Sequence, residues 1–124
     1  QPTAEQSDRY AAILAGQQAQ LDLAAPGVPA ESLFHIAVDT VRKGALPHYQ
    51  RNHCGHGIGL VSHEFPTVKA GNHTALAENM VFCFETPYYE LGWGGMMVED
   101  TTLITAAGNT RLTKTDRSLV TIDL

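Results

Sequence analysis

Apolar positions recur at helical spacing through the first forty or so residues, and the rhythm then gives way to short apolar runs broken by glycine. Tyr10, Ile13, Leu14 and Leu21 share roughly one face of a helix expected from Ala4 to Leu23. Thr3-Ala4-Glu5-Gln6 has the form of a capping box, in which the Thr3 hydroxyl and the Gln6 side chain each satisfy a backbone N–H left unpaired by the first turn. The helix must stop near Ala25-Pro26-Gly27, because proline cannot continue the hydrogen-bond ladder and glycine tolerates a left-handed exit. A second helix begins around Pro29, which suits a first turn, and sets Ala30, Phe34, Ala37 and Val41 on one face. It ends with Arg42 and Lys43 before Gly44, placing cations beside the negative helix end.

After His48 the pattern becomes strand-like. Met80 to Phe84, Met96 to Val98 and Thr102 to Thr105 are short, apolar and β-branched, and Gly92, Gly94, Gly95 and Gly108 punctuate them. Leu119, Val120 and Ile122 mark Leu112 to Leu124 as a closing strand. The expected class is α+β, with two amphipathic helices packed on one face of a curved, mainly antiparallel sheet. At 124 residues and 44% hydrophobic composition, with no repeat or linker, the chain reads as one cooperative unit.

Charge narrows the partners. Eight basic against 13 acidic residues give a net charge of -5, and no basic run is interleaved with aromatics, so nucleic acid is not an expected partner. No apolar run approaches the roughly 20 residues of a membrane-spanning helix, and a cytoplasmic location is the expectation. Cys54 and Cys83 read as reduced, buried thiols. A structural zinc site through Cys54 with His53 or His56 would need four ligands, and the Cys-x-x-Cys half of such a site is absent.

The chemistry concentrates in three segments: Gly55-His56-Gly57-Ile58-Gly59-Leu60-Val61-Ser62-His63-Glu64-Phe65-Pro66, then Phe84-Glu85-Thr86-Pro87, then Val98-Glu99-Asp100. Gly55 and Gly57 remove bulk around His56 and allow a ligand close approach to the backbone. Glu85 and Glu99 each stand at the end of an apolar strand, where a carboxylate is costly unless a cation is present. One imidazole and two carboxylates converging on a hard divalent metal point to hydrolysis.

With these motifs in this order and spacing, the segment from about Tyr49 to Leu112 resembles the C-terminal half of the pita-bread metallopeptidases, the family of methionine aminopeptidase, aminopeptidase P, prolidase and creatinase. The resemblance implies half of a pita-bread fold over residues 1–124, with His56, Glu85 and Glu99 as metal ligands. Glu85 would also shuttle a proton of the attacking water, and Glu99 would bridge two ions. His63 would stabilise the oxyanion at the scissile carbonyl, and His53 would face the substrate or support a ligand. Manganese, cobalt, iron and zinc all suit such a set. The implied reaction is hydrolysis of the N-terminal bond of a short peptide, of Xaa-Pro type, by water activated between two divalent ions.

The sequence also departs from the family's pattern. The family completes its site with two aspartates from the preceding half of the domain, while Asp8, Asp22 and Asp39 here fall in expected helices. The chain is therefore expected to be the C-terminal half of a longer enzyme's catalytic domain, inactive alone and prone to form a homo-oligomer through its uncovered sheet edge. Thr86 stands between Glu85 and Pro87, where many members place proline directly after the glutamate. Met97 occupies the position two residues before Glu99, where prolidase-like members often carry an arginine. The alternatives are creatinase-like amidine hydrolysis or lyase chemistry on the same fold, and a non-catalytic binding module. His35, His48 and His73 read as solvated, and Trp93, Tyr88 and Tyr89 as either pocket lining or a self-packed hairpin.

Overall fold

In the computed structural model, which describes residues 1–122, the capping box at Thr3 forms and opens α1 (Ala4–Leu23). Helix α2 (Ala30–Lys43) follows from Pro29. Its buried Ala30, Phe34, Ala37 and Val41 are the face expected from spacing, joined by Leu33 and Val38. The two helices cross closely because small residues meet there: a Cβ on Gly16 would stand 2.4 Å from Val41 Cγ2, and one on Gly44 would stand 2.8 Å from Ala12 Cβ.

Seven strands follow: β1 (Gly55–Gly57), β2 (Glu64–Thr67), β3 (Val81–Glu85), β4 (Tyr88–Glu90), β5 (Gly94–Met96), β6 (Glu99–Thr105) and β7 (Gly108–Arg111). Five form an antiparallel sheet in the order β2-β1-β3-β6-β7, and β4 and β5 make a separate hairpin. The fold is thus α+β, with the helices on one face of the sheet, as the hydrophobic pattern requires.

Register decides what each face carries. His56 pairs with Cys83, and Glu85 with Glu99, so these four side chains project from one face. Phe82, Phe84 and Ile104 project from the other and are fully buried with Ile13, Leu33 and Val41 in the core. The helices therefore cover the apolar face and leave the polar one open.

Two strand expectations are corrected. Met96 ends β5, and Val98 lies in the short connection to β6, which starts earlier than expected, at Glu99. The closing strand expected over Leu112 to Leu124 does not form among the described residues, and its last two residues lie outside them. Instead, Arg117 ties this segment to α1: it donates to Gln18 at 2.6 Å and to Gln17, and its carbonyl accepts from the Tyr10 hydroxyl at 3.0 Å. Its Nε also lies 3.1 Å from the buried carboxylate of Asp100. That demand holds the chain across the helix rather than along the sheet edge.

Candidate metal-binding face

His56 reaches its position because Gly55 adopts a φ of +146°, and a Cβ there would stand 2.4 Å from the Cys83 carbonyl oxygen. The His56 ring is buried, with Nδ1 3.0 Å from the Gly57 carbonyl. A carbonyl only accepts, so Nδ1 carries a hydrogen and Nε2 is the ring nitrogen left to meet a metal. The loop after β1 folds back on itself: Glu64 accepts from Val61 N–H at 3.0 Å, and Gly59 leaves room for that carboxylate. This return sets the exposed His63 ring on His56, with centroids 3.7 Å apart and planes at 23°.

Glu85 ends β3 and is buried; Glu99 opens β6 and is exposed. One oxygen from each, with the Cys83 sulfur, lies within 4.8 Å of the others. His56 is not in that tight group, although it projects from the same sheet face through its pairing with Cys83. Burial is the main reason the Cys83 thiol is pushed well above its usual range, and its hydrogen bond to Glu99 adds to this. The thiol thus donates to the Glu99 carboxylate beside it.

His53 places Nδ1 3.0 Å from Glu85, which is the one ion-pair partner of that carboxylate among the described residues. Burial lowers the His53 pKa, while the Glu85 charge acts in the opposite direction. No lysine or arginine pairs with Glu85 or Glu99 among the described residues. Oxygens crowded together on a partly buried face without a balancing side-chain cation form a donor set that suits a hard divalent ion.

Two glutamines missing from the sequence expectation buttress this face from behind. Gln20 donates to the Cys54 carbonyl at 2.7 Å, beside the β1 segment that bears His56. Gln17 donates to Asp100 at 2.9 Å and to the Phe84 carbonyl at 3.4 Å, the neighbours of Glu99 and Glu85. Both are fully buried in α1, at positions where helical spacing leads one to expect apolar side chains. The signal was available in their shared face with Ile13 and Leu21, but a glutamine at such a position looks like surface until its partners are known.

Of the remaining candidates, His35, His48 and His73 are exposed, and His73 sits 2.5 Å from Glu31 away from the donors. Tyr88 and Trp93 stack edge to face at 5.9 Å, with the Arg9 guanidinium 4.3 Å above the Trp93 ring, so these two pack within the hairpin and against α1. Tyr89 stays exposed. Cys54 and Cys83 are free and buried, as expected.

The sequence profile of metallopeptidase family M24 matches residues 1–106. A Xaa-Pro dipeptidase of Pyrococcus horikoshii is 38% identical over 119 residues, which cover 96% of this chain and 34% of the relative. Among solved structures, dipeptidase PepE of Mycobacterium ulcerans superposes with a TM-score of 0.91 at 32% identity, covering 96% of this chain and 32% of its own. The prolidase of Pyrococcus horikoshii OT3 superposes with a TM-score of 0.87 at 36% identity, covering 97% and 35%. The chain thus spans about a third of the length of these relatives.

Proposed function

The chain belongs to metallopeptidase family M24, and on that basis we propose that it is the C-terminal half of the catalytic domain of a metal-dependent exopeptidase that hydrolyses the N-terminal bond of short Xaa-Pro peptides. The observation that carries this reading is the convergence of Glu85 and Glu99, with no lysine or arginine paired to them among the described residues, on the face that also bears His56. The relatives named Xaa-Pro dipeptidase support the substrate class.

His56 through Nε2, Glu85 and Glu99 would hold divalent ions, with two further carboxylates supplied by the preceding half of the domain. When bound, the ions supply Lewis acidity, lowering the pKa of water and polarising the scissile carbonyl. The chain's own residues do the rest. Glu85, with His53 at 3.0 Å, forms a proton-handling pair at the water's position. His63, exposed and stacked on His56, presents a donor to the oxygen of the scissile carbonyl. Gln17 and Gln20 keep the strands that carry these groups in register from the opposite face.

The test is hydrolysis of Ala-Pro by the complete protein that carries this chain, supplied with manganese or cobalt and then treated with a chelator. Proline release that stops on chelation and returns with metal is the expected result. Absence of any peptide cleavage with all four candidate metals overturns the reading, and amidine or lyase products would move the chemistry to the creatinase-like alternative.

A further inference from the structure

β7 ends opposite Thr102, so the first stretch of β6, Glu99 to Thr101, has no strand partner on its outer side among the described residues. The chain leaving β7 takes that place. Leu112 N–H donates to the Thr101 carbonyl at 2.8 Å, and Thr101 N–H donates to the Thr113 hydroxyl at 2.9 Å. Farther along, Arg117 closes on Asp100, the neighbour of Glu99. Val120 and Ile122 beyond it are exposed, so polar ties rather than burial of those two hold the segment here.

Strand alternation sends Asp100 to the helix side of the sheet and Glu99 to the metal-binding side. The Asp100 side chain is 1% exposed, and three nitrogens surround it: Gln17 Nε2 at 2.9 Å, Arg117 Nε at 3.1 Å and Arg111 Nη1 at 3.5 Å. The Arg117 contact is an ion pair without hydrogen-bond alignment. Arg117 also donates through Nη2 to Gln17 Oε1, and Gln17 Nε2 reaches the Phe84 carbonyl at 3.4 Å. Phe84 is the residue before Glu85. One guanidinium is thus joined, through two buried side chains, to the backbone next to both glutamates.

We propose that Arg117 is a positioning residue for the metal-binding face: acting through Asp100 and Gln17, it fixes the strand ends that aim Glu99 and Glu85. The inference deepens the metallopeptidase reading above and rests on it. Glu99 is exposed, with the Cys83 thiol as its hydrogen-bond donor, so its direction is inherited largely from the backbone that bears it. Carboxylates that must meet one ion bind it tightly only if they are held in place beforehand, and the groups behind metal ligands typically account for about 10- to 100-fold in affinity. Charge alone makes the opposite prediction. Arg117 is a cation on the far side of the sheet, and removing it lowers the repulsion felt by a dication, so a purely electrostatic role leaves binding unchanged or tighter.

The experiment is calorimetric titration of manganese into the metal-free complete protein, for the native sequence, Arg117→Gln, Arg117→Lys and Tyr10→Phe, with urea unfolding run on each. Tyr10→Phe removes another tie of the same segment, the 3.0 Å bond to the Arg117 carbonyl, without touching Asp100. Arg117→Gln is expected to weaken manganese binding on the order of 10- to 100-fold, Arg117→Lys to recover part of that loss, and Tyr10→Phe to stay within a few-fold of native. Binding by Arg117→Gln that is as tight as native, or tighter, overturns the inference. So do equal losses in Arg117→Gln and Tyr10→Phe, the pattern of a segment that merely needs to be docked. Should Arg117→Gln fail to fold, Arg117→Lys is read against Tyr10→Phe by the same two criteria. Failure of the native protein to bind manganese, cobalt, iron or zinc overturns the metal-site reading itself and takes the inference with it.

Discussion

Gly55 shows how a single missing Cβ sets the candidate site. With φ at +146° and the Cys83 carbonyl 2.4 Å from where a Cβ would stand, Gly55→Ala must push β1 away from β3. The expected cost is about 1–3 kcal/mol of stability, read from urea unfolding. Metal affinity should fall with it, because His56 moves. His63→Ala should leave stability and KM nearly intact and lower kcat on the order of 100- to 1000-fold, the loss typical of one oxyanion donor; a kcat within a few-fold of native would remove His63 from the chemistry. The thiols make a prediction of opposite character. Burial pushes Cys54 from 9.0 up to about 12, and Cys83 and Tyr49 move the same way. A group whose pKa is raised by folding contributes stability that is complete below its unfolded value and is lost as pH rises toward its folded one. The urea midpoint should therefore hold steady from neutral pH to about 8.5 and fall toward pH 10, and Cys54→Ala should flatten part of the fall. A midpoint that stays level or rises over that range contradicts this assignment.

At the level of elements, the helices were legible because local rules agree with the packing: a capping box, a proline at the start, cations and a glycine at the end. The site strands were less so. β1 is three residues with glycine at both ends, and β2 contains a proline, so neither carries the alternation that marks a strand; both exist because β3 offers β1 a ladder. The closing strand failed for the opposite reason. Its apolar residues look strand-like, but Asp100, Gln17 and Tyr10 hold Arg117 across α1, and Val120 and Ile122 remain exposed. The crossing of α1 and α2 tests which local effect wins. Gly16→Ala gains about 1 kcal/mol of helix propensity but places a methyl 2.4 Å from Val41 Cγ2, whose side chain has one strongly preferred rotamer in a helix. Overpacking of that kind costs about 1–3 kcal/mol, so a net loss of stability is expected. A stabilised Gly16→Ala would mean that the helices can separate freely.

Across the whole molecule, the helices cover one face of the sheet and leave open the face with His56, Glu85 and Glu99. The sheet also ends at β2, where Phe65 is 74% exposed, close to Leu60 at 101% and Val61 at 60%. An apolar, unpaired edge of that kind invites association. The isolated chain should therefore sediment as a dimer or larger species, and Phe65→Lys should shift it toward monomer; a native chain that is monomeric at high concentration would show that the edge is protected. That His56, Glu85 and Glu99 share one sheet face follows from strands whose motifs could be read in order along the sequence, whereas the buttressing glutamines and the Arg117 tie to Asp100 emerge only once distant segments meet. The central claim is that Glu85 and Glu99, on the face of His56, hold divalent ions. Calorimetric titration of manganese into the metal-free complete protein, run beside Glu99→Ala and His56→Ala, tests it most directly. Tight binding of two ions, weakened at least tenfold by each substitution, is the predicted result; binding that is unaffected by both would contradict it.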